Sequence, residues 1–280
     1  MLRPASKSRT YGITGTVTVT AAPLALALAL ALSGCGSSSD GTGATGGDGP
    51  TTASPATTAT QAAAKDKGPV CVGKASADGP HVLRGGGFRL PGGGGVQYDS
   101  ATADGTTRTA TLREGASYAD GQKQQVVKPG QTVTLAGHAY TVSQICSYRV
   151  VLEPQDAKDK AALAAAPTSL TSKGGAADDG LCFTTNPSVL AAAAQGFPAR
   201  GSELSLLRNG GVKTFPTGLS VTVSYVDTGT GTAGFGANCA GIPVAAYKDV
   251  RVGDTVEFAG VLFKVSGLAE GVVRLTRTSP

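Results

Sequence analysis

The chain contains an internal repeat, and this repeat restricts the available folds more than any other feature. Residues 127–152 align with residues 250–275 without a gap, at a constant spacing of 123, and ten of the 26 positions are identical. A repeat of this kind indicates one small structural unit that the chain uses twice. We therefore expect the same strands and turns in both copies.

Within each copy, apolar and polar residues alternate with a period of two around an Ala-Gly pair. Such alternation, with β-branched residues between glycines, is typical of half-buried antiparallel strands joined by hairpins. We expect Tyr98 and Tyr225, in earlier strands, to point inward as well. The core positions predicted from the repeat are Val133, Leu135, Tyr140, Val142, Val256, Phe258, Phe263 and Val265.

These patterns predict an all-β fold, with two tandem, internally duplicated antiparallel β-sandwich or barrel-like domains. We place the first β-domain at 69–154 and the second at 178–280, with 155–177 as a linker. The second copy carries an insertion, and a short helix is expected in it. Asn186 is the expected cap, Pro187 takes the first helical position, and Gly196 ends the helix.

The N-terminal segment is typical of an export signal. Residues 1–34 begin with basic side chains and then carry no charge from Thr10 to Gly34. At the end of this segment, Leu32-Ser33-Gly34-Cys35 resembles the lipobox of bacterial lipoproteins. The resemblance implies a diacylglyceryl group, with palmitate-like chains, on Cys35. The uncharged run is long enough to cross a bilayer, so a retained transmembrane anchor is the alternative.

Residues 35–68 are interpreted as a lipidated cysteine followed by a disordered tether. The tether consists of Gly, Ser, Thr, Ala and Pro with a few polar residues and no large apolar side chain. It therefore cannot bury enough surface to offset the entropy of ordering. Two acyl chains hold a protein on a membrane where one gives only reversible binding. We expect an extracytoplasmic protein, lipid-anchored on the outer face of the cell membrane.

With Cys35 assigned to the lipid, four cysteines are left: Cys71, Cys146, Cys182 and Cys239. An even number in an exported chain predicts two disulfides, with three possible connectivities. We favour Cys71 with Cys146 and Cys182 with Cys239, because each bridge then closes within one copy. The absence of a Cys-x-x-Cys spacing argues against a redox pair or a zinc knuckle.

Charge gives no indication of a nucleic-acid partner. The formal net charge is +5, but the signal carries three of the 24 basic residues. The remaining charges are scattered, whereas nucleic-acid binding normally requires a basic patch. The expected partners are the membrane, through the lipid, and an unidentified envelope protein or glycan.

The residues offer no recognisable catalytic or metal site, and no cofactor is predicted. His138 is interpreted as an exposed turn residue, and His81 as a loop residue without a metal-ligating neighbour. The glycine-rich run 84–95 lacks the Gly-Lys-Ser/Thr ending of a phosphate-binding loop, so we interpret it as a mobile loop. Motifs of an activated serine are also missing.

Three functions are therefore considered. The first is a non-catalytic lipoprotein with a binding or envelope-associated role, favoured by the duplication and the tether. The second is a hydrolase of envelope polymers, with its site between the domains or beside the helix at Asn186. The third is the solute-binding lipoprotein of a transporter, which would normally contain many more helices.

Overall fold

Alternating residues and glycine turns fold the chain into antiparallel strands. The computed structural model describes residues 68–165, 183–215, 218–239 and 242–279. All of these residues belong to one compact body, Gln61–Pro280. In the described part the protein is mostly β, with two short α-helices, and the expected all-β class is confirmed.

The first half, residues 68–154, contains two antiparallel sheets. One sheet has the order β1-β8-β9-β2, with β7 also paired to β8, and the other has the order β3-β4-β5-β6. The strands are β1 (Cys71–Gly73), β2 (His81–Leu83), β3 (Gly87–Arg89), β4 (Gly95–Asp104), β5 (Thr107–Glu114), β6 (Gln124–Val127), β7 (Thr132–Leu135), β8 (His138–Cys146) and β9 (Arg149–Pro154). A single 3-10 turn, Pro91–Gly93, lies between β3 and β4.

The second half, from residue 203 onwards, also contains two antiparallel sheets. Their orders are β10-β17-β16-β15 and β11-β12-β13-β14. The strands are β10 (Glu203–Leu207), β11 (Lys213–Thr214), β12 (Leu219–Asp227), β13 (Thr232–Cys239), β14 (Ile242–Val250), β15 (Thr255–Phe258), β16 (Val261–Ala269) and β17 (Val272–Arg277).

Strand order and register correspond between the halves. The path β2-β9-β8-β7 corresponds to β10-β17-β16-β15, and β3-β4-β5-β6 corresponds to β11-β12-β13-β14. Val133 pairs with Tyr140 in the first repeat hairpin, and Val256 pairs with Phe263 in the second. Both hairpins turn at an Ala-Gly pair in which both residues have positive φ, as tight two-residue hairpin turns require.

All eight core positions predicted from the repeat are buried. Tyr98 is buried too, and its hydroxyl donates to the carbonyl oxygen of Cys146 at 2.8 Å. The prediction for Tyr225 is wrong. Its ring is only partly buried, because its hydroxyl reaches the carboxylate of Asp249 at 2.7 Å on the exposed side of the sheet.

Each half packs its two sheets around an apolar core, and each core also contains side chains from outside that half. Leu83, Cys146 and Tyr148 of the first half are buried in the core of the second. Phe183, which follows the connecting segment, is buried in the core of the first and packs edge-on against Phe88 at 5.4 Å. Through these side chains the two cores are in contact where the halves meet.

A glycine pair permits the closest backbone contact at this boundary. A Cβ atom on Gly86 would lie 2.0 Å from the carbonyl oxygen of Val244, and one on Gly85 would lie 2.3 Å from that of Ala246. The amide of Ala246 donates to the carbonyl oxygen of Arg84 at 2.9 Å. Strand β14 of the second half thus lies directly against the start of the glycine-rich run.

Two helices lie between the halves in sequence. Helix α1 (Ala157–Ala164) is capped by Asp156, whose carboxylate accepts from the amide of Lys158. Helix α2 (Pro187–Ala193) is capped by Asn186, as predicted. It ends three residues before Gly196, which has the positive φ expected of a residue that follows a helix.

Candidate ligand-binding cleft between the two halves

A buried ionic group joins the two halves. His81 begins β2 and Arg149 begins the neighbouring strand β9, while Glu257 lies in β15 of the other half. His81 Nδ1 lies 2.6 Å from Glu257 Oε1, and Arg149 donates to Glu257 Oε2 at 2.8 Å. The Glu257 side chain is fully buried, whereas His81 is 31% exposed and Arg149 is 12% exposed.

Glu257 is buried because both faces of β15 are covered. Its neighbours Val256 and Phe258 point into the core of the second half, so alternation directs Glu257 to the opposite face. In the first half that face meets solvent, and the corresponding Thr134 is exposed. In the second half it meets β2 and β9, which supply His81 and Arg149.

The backbone of Glu257 is held as firmly as its side chain. The buried hydroxyl of Tyr247 donates to the carbonyl oxygen of Glu257 at 3.0 Å and accepts from its amide at 3.2 Å. Burial, together with the nearby charge of Glu257, raises the pKa of Tyr247 well above its usual range. Tyr247 therefore remains a neutral hydroxyl that fixes this residue of β15.

Two opposing effects act on the Glu257 carboxyl group. Burial alone raises its pKa, but the charges and hydrogen bonds of His81 and Arg149 lower it by more, so the net shift is downward. Glu257 is thus ionised, and the proton in its short contact with His81 belongs to Nδ1. Arg149 also comes within 3.2 Å of Nδ1, but two donors face each other there, so that contact is not a hydrogen bond.

Arg149 is fixed on its other side by Gln144. The amide oxygen of Gln144 accepts from Nε of Arg149 at 3.2 Å and from a terminal nitrogen at 2.9 Å. Gln144 lies two residues before Cys146, whose disulfide to Cys71 joins β8 to β1. The guanidinium group is therefore positioned by a strand that is covalently tied to its neighbour.

His81 and Glu257 of the ionic group line a cleft with a cavity of about 140 Å³. Most other lining residues are apolar or glycine, and they come from both halves and from helix α2. They are Ala77, Gly79, Leu83, Gly87, Phe88, Leu190, Ala193, Leu219, Val244, Ala259 and Gly260. Concave, mostly apolar sites with a few convergent polar groups are typical of small-molecule binding.

Two threonines add the only hydroxyl groups among the described lining residues. Thr184 Oγ1 lies 2.7 Å from the carbonyl oxygen of Leu163 and 2.9 Å from that of Ala165, at the end of helix α1. Thr185 is only 8% exposed, and its hydroxyl has no hydrogen-bond partner among the described residues. The Thr185 residue thus lines the cleft, while its hydroxyl oxygen is buried in the wall.

Helix α2 closes one side of the cleft. Asn186 follows the two threonines directly and caps the helix, because its side-chain oxygen accepts from the amides of Ser188 and Val189. The helix then presents Leu190 and Ala193 to the cavity. The predicted helix therefore contributes residues to the candidate site.

The structure describes three of the five cysteines. Cys71 and Cys146 form a disulfide, as we predicted. Cys239 is also disulfide-bonded, and its predicted partner, Cys182, lies outside the described residues. Cys35, the predicted lipid-attachment residue, lies outside them too.

Both histidine interpretations require correction. His81 is not in a loop but begins β2, and its hydrogen-bond partner is Glu257. His138 begins β8 and is 34% exposed, and its Nδ1 lies 2.7 Å from the buried carboxylate of Asp159 in helix α1. It is thus a paired residue that ties helix α1 to the first half, and it does not line the cleft.

The glycine-rich run 84–95 was also misinterpreted. Most of it is ordered structure, with β3 and the 3-10 turn within it, and Gly87 and Phe88 line the cleft. At four of its glycines, Gly85, Gly86, Gly87 and Gly95, a neighbouring backbone passes too close for a side chain. A Cβ atom on Gly87 would lie 1.8 Å from the carbonyl oxygen of Ala116.

Among the residues described, no three His, Cys, Asp or Glu side chains are grouped as a metal site. In the same residues, no helix is both long and apolar enough to cross a membrane. Comparisons with family models, with curated proteins and with solved structures found no match.

Proposed function

We propose that this protein is a membrane-anchored, extracytoplasmic lipoprotein that binds a small, largely apolar ligand in the cleft between its halves. The observation that carries this proposal is the cleft itself. It is apolar apart from two threonines and one ionic group, and Glu257 at the centre of that group is neutralised by its own neighbours. Such a lining suits the binding of an apolar molecule without a chemical reaction.

A calorimetric titration of the purified full chain with toluene tests whether the cleft binds apolar molecules. Leu190, half-buried in the cleft wall, is changed to Gln, and the matched control is Leu207→Gln, at an exposed position in β10. We expect binding by the wild type and the control, and roughly tenfold weaker binding by Leu190→Gln, since a polar group then enters the cavity. Absence of binding by the wild type would contradict the proposal.

The lipid anchor is supported by the lipobox-like sequence that ends at Cys35. Replacing Cys35 with Ser removes the thiol that would carry the acyl chains, and cell fractionation then locates the protein. We expect the wild type in the membrane fraction and the variant in the soluble fraction. A variant that stays with the membrane would indicate a retained transmembrane anchor instead.

One observation favours hydrolysis as a second candidate function. Glu257 holds the Nδ1 proton of His81, and Nε2 has no hydrogen-bond partner among the described residues, so a neutral His81 presents a lone pair. A histidine oriented by a carboxylate is the usual general base for activating a hydroxyl group or water. The described lining residues include no serine or cysteine nucleophile, and Thr184 and Thr185 carry the hydroxyl groups among them.

Hydrolysis can be tested with short-chain nitrophenyl esters and the full chain. If His81 is a base, His81→Gln abolishes ester turnover, whereas the matched control His138→Gln, outside the cleft, retains it. Wild-type turnover no faster than in buffer would leave ligand binding as the function of the cleft.

A further inference from the structure

The second half repeats the turn by which the first half contacts it. The chain reads Leu-Arg-Gly-Gly at 83–86 and Leu-Arg-Asn-Gly at 207–210. In each turn the amide of the fourth residue donates to the carbonyl oxygen of the leucine at 3.1 Å. The arginine amide donates to the carbonyl oxygen of Tyr148 in the first half and to that of Gly271, 123 residues later, in the second. The two turns are therefore structural counterparts.

The first turn is a contact surface for the second half. Leu83 is only 8% exposed, because it is buried in the core of the second half. The carbonyl oxygen of Arg84 accepts from the amide of Ala246 at 2.9 Å. The guanidinium group of Arg84 donates to the carbonyl oxygen of Lys248 at 2.7 Å. The leucine and the arginine of this turn thus both serve the contact between the halves.

The second turn has the same two residue types but no half that covers it. Leu207, the counterpart of Leu83, is 52% exposed, and Val212 just beyond the turn is 56% exposed. Arg208 is exposed too, and its carbonyl oxygen accepts from no backbone amide of the described residues. A depression of about 160 Å³ lies beside these residues. A surface that is covered in the first half is therefore open in the second.

The first half in turn has an open counterpart of β14, which is the edge strand β6. Arg113 pairs with Gln124 of β6. Gly236, which lies 123 residues after Arg113, pairs with Ala246 of β14, so Gln124 has the position of Ala246. Strand β6 contains no charged residue, and its Val126 is 65% exposed. Charged side chains commonly protect a free sheet edge from pairing, and β6 lacks that protection.

We propose that β6 of a second copy of this chain covers the second turn, so that the contact between the halves is repeated between molecules. The amide of Gln124 in one molecule then donates to the carbonyl oxygen of Arg208 in the next. Each molecule offers one surface of each kind, on different halves, so copies join head to tail in a chain or a ring. The proposed lipid anchor would concentrate copies on one membrane surface and favour this contact. Self-association does not depend on a ligand in the cleft.

Disulfide cross-linking of the full chain in intact cells tests the contact. A Cβ atom on Gly85 would lie 2.9 Å from the Cβ atom of Ala246, and the counterparts of these two residues are Asn209 and Gln124. A disulfide needs a Cβ separation of about 3.5–4.5 Å, so cysteines at the counterparts would be close enough to bond after a small shift. The test variant is Gln124→Cys/Asn209→Cys. The matched control is Val252→Cys/Asn209→Cys, since Val252 is exposed as well.

We expect a ladder of dimers and larger species from the test variant on non-reducing gels, and monomers from each single variant and from the control. Adding Leu207→Gln to the test variant should lower the cross-linked fraction about fivefold, since loss of a buried anchor commonly weakens an interface by that factor or more. Three results would each overturn the proposal. They are no cross-linking of the test variant, equal cross-linking of the control, and cross-linking by Gln124→Cys alone, which would indicate a symmetric contact.

Discussion

Arg149 and Glu257 are separated by 108 residues, yet the guanidinium group donates to the buried carboxylate at 2.8 Å and joins the two halves. Glu257 depends on this partner and on His81, because no water reaches its fully buried side chain. The ionic group is thus a structural link between the halves, and two of its members, His81 and Glu257, line the cleft.

Glu257→Gln should destabilise the protein strongly. The change leaves Arg149 and His81 beside an uncharged amide, and breaking a buried ion pair costs about 3–5 kcal/mol. Urea unfolding measures the loss. The matched control is Glu203→Gln. Glu203 is exposed and lies 3.8 Å from Arg274, and exposed ion pairs contribute about 0–1 kcal/mol. Equal unfolding free energies for the two variants would contradict the assigned role of Glu257.

Acid should weaken the protein through the same carboxyl group. The pKa of Glu257 is lower in the folded state than its ordinary value of 4.5, so its ionised form stabilises the fold. That contribution is complete above the unfolded pKa and is lost as the pH falls through the lowered folded pKa. The wild type should therefore lose stability below about pH 4.5 more steeply than Glu257→Gln, as measured by urea unfolding at each pH. Parallel profiles would show that Glu257 is not ionised in the fold.

Tyr140→Phe should leave the stability unchanged or raise it slightly. The Tyr140 hydroxyl is buried without a partner among the described residues, and burial and then Asp159 raise its pKa to about 12. The second copy of the repeat has Phe263 at this position. Tyr98→Phe is the control, because it removes a hydroxyl that donates to Cys146, and it should cost about 1 kcal/mol in thermal unfolding. A loss from Tyr140→Phe as large as that from Tyr98→Phe would indicate a hidden partner.

Gly86→Ala should disturb the contact between the halves. The new methyl group would lie 2.0 Å from the carbonyl oxygen of Val244, and a backbone atom cannot yield as a flexible side chain does. We expect a loss of about 2 kcal/mol or more in denaturant unfolding. Gly267→Ala is the matched control, since its nearest neighbour is the side chain of Arg274 at 3.6 Å. Similar stabilities for both variants would show that the halves can separate slightly at little cost.

Local sequence patterns were sufficient to predict the hairpins and helix α2. Alternation and the Ala-Gly turns predicted the paired, buried positions of both repeats, and Asn186 with Pro187 predicted the start of the helix. The candidate site could not be found in this way. Alternation places Glu257 on the face that would normally meet solvent, and only the packing of the halves buries it beside His81.

Methyl-resolved NMR spectra of the full chain, recorded with and without toluene, test most directly whether the cleft is a binding site. We predict that toluene shifts the methyl signals of Leu83, Leu190 and Val244, which line the cleft from three elements. The signals of Leu207 and Val212, at a second depression on the surface, should stay in place. Shifts at that second depression alone, or at neither place, would contradict the account.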